Sequence, residues 1–313
     1  MGSTVLIIPK HVNAGGLVPF LDLLAGHAAD PDLEIDFSEL QRVSPAGLAA
    51  LAAFVSRRTR EGLLTAATGM EDCSIRDYLS RMNLPRHCGW EENEGFRRHD
   101  SAGRFVPLEP ITHQVDDLGD RIAECIAPGG QDFEHPNANL YDTAWYLITE
   151  MANNVHQHSG GIGFVAAQTT PADGFVRIAI ADGGMGIPGS IKKSGLPWAG
   201  DLSDEDIIEQ AMVARVSSKG QPSNEGVGLT LSSRIVELMG GHMLVTSLGG
   251  TVIRSRDAEA RKSVFEGGRQ FPGTLVAMTF QRSEAGDFAD KLQRAKELDI
   301  PLRDSPHPAT FQP

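Results

Sequence analysis

Between residues 4 and 84, short runs of aliphatic and β-branched residues alternate with longer stretches whose apolar positions recur every three or four residues. The runs 4–8, 33–37 and 63–68 predict strands, and the stretches 17–29, 46–60 and 74–82 predict helices, in the order βαβαβα. From 85 to 104 the chain turns polar, charged and rich in Gly and His, which marks a boundary. A second unit starts near Phe105. Helices are predicted there at 113–126 and 137–158, the second with Ala144, Leu147, Ile148, Met151 and Val155 at core spacing. Strands at 162–169, 175–181, 242–247, 251–255, 262–265 and 275–281 make a mainly antiparallel sheet. The Gly- and Pro-rich stretch 187–225 reads as a long loop in which Ser203-Asp-Glu-Asp206 starts a helix over 207–216. Connections of this kind beside glycine motifs commonly act as lids. A helix at 229–239 stops at Gly240-Gly241, a pair suited to a left-handed cap. After Arg282 come one polar helix and a Pro-rich tail.

A chain of 313 residues is long enough for two domains, each with its own core. The expected limits are 1–90 and 109–283, with a linker at 91–108 and a C-terminal helix and tail at 284–313. Net charge is −13 with no run of Lys or Arg, so nothing offers an electrostatic footprint for nucleic acid or an anionic membrane. The longest apolar run, 47–55, is far shorter than the roughly 20 residues that cross a bilayer. A soluble, cytoplasmic protein is expected. Cys73, Cys88 and Cys125 are odd in number and never in C-x-x-C spacing, which argues against a disulfide framework and a zinc site.

Three short segments carry chemistry. On the predicted helix 137–158, Glu150, Asn154 and His158 follow at four-residue intervals and form one polar stripe beside the apolar face. A carboxamide oxygen suits Mg²⁺ held between nucleotide phosphates, and a carboxylate one turn earlier can take a proton from an attacking water or hydroxyl. That assigns Asn154 to metal and Glu150 to the base. On an isolated helix the same stripe would be a solvated face. Asp182 ends an apolar strand and precedes Gly183, Gly184 and Gly186, so a flat ring could approach its carboxylate closely. A carboxylate there can accept the exocyclic amine of adenine, a donor that guanine lacks at that edge. Gly226, Gly228 and Leu229 open the helix 229–239, whose free N–H groups suit a phosphate.

Glu150-x₃-Asn154, Asp182-x-Gly184-x-Gly186, Gly226-x-Gly228-Leu229 and Gly273-Thr274, in that order, resemble the motif boxes of the GHKL ATPases, the superfamily of gyrase, MutL, histidine kinases and anti-sigma serine kinases. The resemblance covers roughly residues 110–282. It implies a Bergerat-type α/β sandwich that binds ATP with Mg²⁺ under a mobile lid. In that frame Asp182 resembles the adenine-binding aspartate, Asn154 the metal-bound asparagine, and Thr274 the hydroxyl supporting Asp182 through water. Ser217-Ser218-Lys219-Gly220 is similar to lid segments of the MutL and MORC type, with Lys219 reaching the γ-phosphate.

The first unit, with Leu33-Glu-Ile-Asp-Phe-Ser38 and Val43-Ser-Pro-Ala-Gly-Leu48, resembles STAS domains, the anti-sigma-antagonist fold. The expected fold is therefore α/β, a STAS-like βαβαβα domain followed by the GHKL sandwich. The usual phosphoacceptor serine before the glycine is here Ala46, and Ser44 is placed as a helix N-cap. His87, His113 and His135 lack the helical-hairpin context of a histidine kinase acceptor. Two activities stay open: an ATPase switch with a fused docking module, and a serine/threonine kinase acting on a separate STAS protein. A nucleotide-binding scaffold without turnover is a third. The implied partner is a regulatory protein of STAS or sigma-factor type, with a homodimer as a further arrangement.

Overall fold

The structure, a computed structural model, describes residues 2–91, 94–95, 97–98, 100–111, 113–160, 162–170, 173–213, 228–256 and 258–298. Lys219, Gly226, the rest of the proposed lid segment and the C-terminal tail lie outside these residues. The N-terminal part runs β1 (Thr4–Ile7), β2 (His11–Val12), α1 (Leu17–Gly26), β3 (Asp32–Asp36), β4 (Arg42–Val43), α2 (Pro45–Arg60), β5 (Leu64–Thr68), α3 (Arg76–Arg81) and α4 (Leu84–Cys88). The remainder continues with β6 (Phe105–Pro110), α5 (Val115–Ile126), α6 (Ala138–Asn154), β7 (Gly163–Thr170), β8 (Phe175–Asp182), α7 (Gly186–Lys193) and α8 (Asp204–Val213). It closes with α9 (Gly228–Leu238), β9 (His242–Leu248), β10 (Gly250–Ser255), β11 (Arg261–Val264), β12 (Phe271–Gln281) and α10 (Phe288–Leu298).

Strands β1, β3 and β5 form a parallel sheet in that order, and β11-β10-β9-β12-β8-β7-β6 form an antiparallel sheet of seven. Strict alternation sorts the large sheet into two faces. Val165, Val176, Ile178, Ile180, Val245, Val276, Met278 and Phe280 point into a core built with α5, α6 and α9. Phe164, Ala166, Ala179, Ala181, Leu244 and Leu275 point the other way, into a core shared with α1, α2 and the parallel sheet. Two cores form, and the N-terminal unit shares its core with one face of the large sheet.

Helix α2 is the reason. Ser44 caps it, its Oγ accepting from the Gly47 N–H at 3.3 Å, and Pro45 sits in the first turn where no N–H is needed. Every residue from Pro45 to Val55 is buried. A helix apolar all round must be covered all round. Its alanines 49, 50, 52 and 53 are small enough to lie close to a sheet face that is itself lined by Ala166, Ala179 and Ala181. Cys73 and Cys88 are buried free thiols and Cys125 is a half-buried one.

Three further differences from the sequence reading have local causes. The large sheet begins inside the expected linker, because Phe105–Pro110 is its edge strand, where the prolines at 107 and 110 are tolerated. Helix α7 occupies the start of the stretch read as loop; Pro188 falls in its first turn, so no intrahelical bond is lost. The helix carrying Glu150 ends at Asn154, and Val155–Ser159 forms a single π turn. Among the described residues no helix is long and apolar enough to cross a membrane.

Arg58, fully buried, holds the N-terminal unit to α2. Its guanidinium donates to the carbonyls of His27 (2.9 Å), Ala28 (3.2 Å), Asp30 (2.7 Å) and Leu64 (2.7 Å) and to Thr65 Oγ1 (2.8 Å). Arg58→Met keeps the stem and orphans those acceptors, so we expect a stability loss of about 3 kcal/mol or more in urea unfolding. A loss below about 1 kcal/mol would mean that the acceptors are satisfied without the guanidinium.

Candidate functional site

The site residues within the described part stand where secondary elements end or begin. Glu150 and Asn154 close α6, Asp182 closes β8, Gly186 opens α7, Gly228 opens α9, and Thr274 lies near the start of β12. Asp182 and Thr274 meet because the end of β8 and the start of its antiparallel neighbour β12 lie at the same end of the sheet.

Asp182 is carried inward by β8, whose apolar residues are buried on both faces, and retains 6% of its surface. Its Oδ1 accepts from the Gly184 N–H at 2.7 Å, closing an Asx turn. Burial pushes the carboxyl up to about 7, against the opposing pull of the Gly184 N–H and the Arg60 charge. Gly184 is needed because a Cβ there would collide with the backbone of Ser159, on the π turn. Thr274 lies opposite Asp182 in the β12–β8 ladder, and its hydroxyl is 3.0 Å from Ser247 Oγ. Ser247 spends its own proton on the Gly273 carbonyl (2.8 Å) and accepts the Ile187 N–H (2.9 Å), so Thr274 is the donor between the two hydroxyls. The Thr274 hydroxyl is thereby engaged with Ser247, which also fixes the first turn of α7.

Glu150 is half-buried, and burial raises its pKa. Its carboxylate lies against Gly228, where any side chain would overlap Oε2, so the third glycine box and the α6 carboxylate come together. Asn154 is half-buried one turn further on. His158 does not continue the stripe as a regular helix would place it. The π turn rotates it away from the four-residue spacing, and its Nδ1 lies 3.4 Å from Ser190 Oγ on α7. Leu229 packs inward against the core and against the small cluster of Ile191, Ala199, Ile207 and Ala211, which makes it an anchor for the start of α9.

Sequence reasoning missed Ser159, Ser247, Arg57 and Arg60. Two polar residues, Thr246 and Ser247, following the apolar run Met243 to Val245 and both fully buried, were the available signal for the second of these.

Residues 141–265 match the family model described as histidine kinase-, DNA gyrase B-, and HSP90-like ATPase. The chain thus carries an ATP-binding domain of the GHKL type. The match contains Glu150, Asn154, Asp182, Gly184, Gly186 and Gly228 and stops before Thr274. The fold carries the unit further, since β12 lies between β9 and β8 and the sheet is not continuous without it. No curated protein matches the chain.

A carboxyl that ordinarily titrates at 3.8 and is raised to about 7 leaves the folded state holding the extra proton between those values. Stability therefore falls as pH rises through that window, and the full cost is present above it. Asp182→Asn removes this cost while keeping an acceptor for Gly184. The expected result is a Tm several degrees higher at pH 8, roughly 2–8 °C, with a flatter pH profile. An unchanged Tm and an unchanged profile would show that the carboxyl is solvated.

Proposed function

We infer that the chain is a Mg-ATP-dependent regulatory switch that hydrolyses ATP, with its N-terminal STAS-like unit acting from within the same molecule. The observation that carries this reading is the meeting of Glu150 with Gly228. A carboxylate whose pKa burial raises stands at the opening of the helix that follows the third glycine box. A base is most effective when its pKa lies near the working pH.

The other residues take roles their surroundings support. The buried Asp182 accepts the exocyclic amine of adenine, and ionisation favours that bond. Gly184 and Gly186 keep the adjoining backbone flat against the base. Gly228, with Gly226 and Lys219 from outside the described residues, offers backbone and charge to the phosphates. Asn154 would hold Mg²⁺ together with phosphate oxygens. That ion would offset phosphate charge in the transition state. Glu150 takes the proton of the attacking water.

The N-terminal unit is not a phosphoacceptor in this reading. Ala46 stands in the acceptor position and is buried, and the Ser44 hydroxyl is engaged as the cap of α2. Cytoplasmic location and a regulatory protein partner belong to the same proposal. The kinase alternative differs only in what Glu150 activates, and one assay separates them.

Purified protein with Mg-ATP is expected to release phosphate without any added protein. Glu150→Ala should retain nucleotide while losing about 100-fold or more in rate. Phosphate transferred only to an added STAS protein would replace the hydrolase reading with the kinase one. Asn154→Ala should abolish the strengthening of ATP binding by Mg²⁺, and persistence of that effect would remove Asn154 from the metal role.

A further inference from the structure

The last turn of α2 carries three arginines that face different ways. Arg58 points into the N-terminal unit, whereas Arg57 and Arg60 reach across to the glycine box after Asp182. Arg57 Nη1 donates to the Gly183 carbonyl at 3.0 Å and to the Gly184 carbonyl at 3.3 Å. Arg60 Nη2 donates to the same Gly183 carbonyl at 2.6 Å, and its Nη1 donates to Gly160 O at 3.2 Å, just past the π turn. The fit is close, because a Cβ on Gly183 would stand 2.8 Å from Arg57 Cβ and 3.0 Å from Ala53 O.

The geometry has a specific consequence. The Gly183 carbonyl and the Gly184 N–H belong to one peptide group. Its oxygen accepts from two guanidiniums, and its N–H donates to Asp182 Oδ1. Hydrogen bonds in such a chain polarise one another. Between two glycines a peptide is free to rotate, and two cations on its oxygen hold it in the one orientation that meets Asp182. Salt-bridging between Arg57 and Glu61 orients the first guanidinium.

We propose that Arg57 and Arg60 are positioning residues for the adenine-binding carboxylate, so that nucleotide affinity depends on how the N-terminal unit is docked. This rests on Asp182 as the adenine contact. A ligand or protein that shifts the last turn of α2 would release the Gly183-Gly184 peptide and weaken ATP binding without touching the nucleotide. Because both arginines serve one oxygen, each can cover for the other's loss.

The test uses the full chain and three variants, R57A, R60A and the double R57A/R60A, with R57K/R60K as the conservative control. ATP affinity is measured by calorimetry, and backbone exchange of the segment containing Gly184 by hydrogen–deuterium exchange without nucleotide. The single variants are expected to lose about threefold or less, and the double variant more than about tenfold and more than the product of the singles. In the double variant, exchange at Gly184 accelerates while the central strands β8, β9 and β12 keep their protection, which separates lost positioning from lost folding. The lysine pair recovers part of both.

Wild-type affinity and unchanged Gly184 exchange in the double variant would overturn the proposal. So would uniformly faster exchange across the sheet, which would make the arginines structural. Failure of the wild-type protein to bind ATP would instead strike the nucleotide assignment itself.

Discussion

A helix whose surface is apolar on every side cannot rest on one layer, and α2 is such a helix. Alanines let it lie close to two sheets at once, the parallel three-stranded one and the alanine-lined face of the seven-stranded one. The rest of the architecture follows from that double burial. The small sheet cannot separate from the large one without exposing the shared core. The C-terminal turn of α2 is thereby held against the backbone that follows β8. Three arginines there divide the work, one internal to the N-terminal unit and two on the neighbouring glycine peptide.

The site itself is a compromise between folding and binding. Burying Asp182 costs stability, and one N–H with a nearby cation offsets that cost only in part. Such a group makes sense when a ligand is to supply the remaining donor. Glu150 shows the same logic at a milder level of burial. Backbone is brought to both carboxylates at positions without side chains, Gly184 beside Ser159 and Gly228 beside Glu150. A methyl group at Gly184 would press on the Ser159 backbone, and one at Gly228 would displace the Glu150 carboxylate.

Much of this was legible from residue order because the demands are local. Glycines at close approaches, a strand-ending aspartate and a core-spaced helix each leave a mark on a few adjacent positions. Helix α2 was legible as a helix, and alanine on all its faces already implied burial on more than one side. What escaped depends on partners far apart in the chain. Arg57 and Arg60 look like ordinary dipole-compensating residues at a helix end, since nothing nearby announces carbonyls more than a hundred positions away. Ser247 is similarly silent until Gly273 and Ile187 arrive beside it. The π turn after Asn154 is invisible because Val155 carries the apolar spacing of α6 into its start, and Pro188 between two glycines disguised α7 as loop.

The central claim is that Asp182 reads an adenine base within a GHKL-type site, and base selectivity tests it most directly. Calorimetric titration of the full chain with ATP, ADP and GTP, with and without Mg²⁺, measures it. The account predicts that ATP and ADP bind, with GTP weaker by about tenfold or more, since guanine carries a carbonyl oxygen where adenine offers its amine to the carboxylate. Equal affinity for ATP and GTP, or no binding of either, would contradict it.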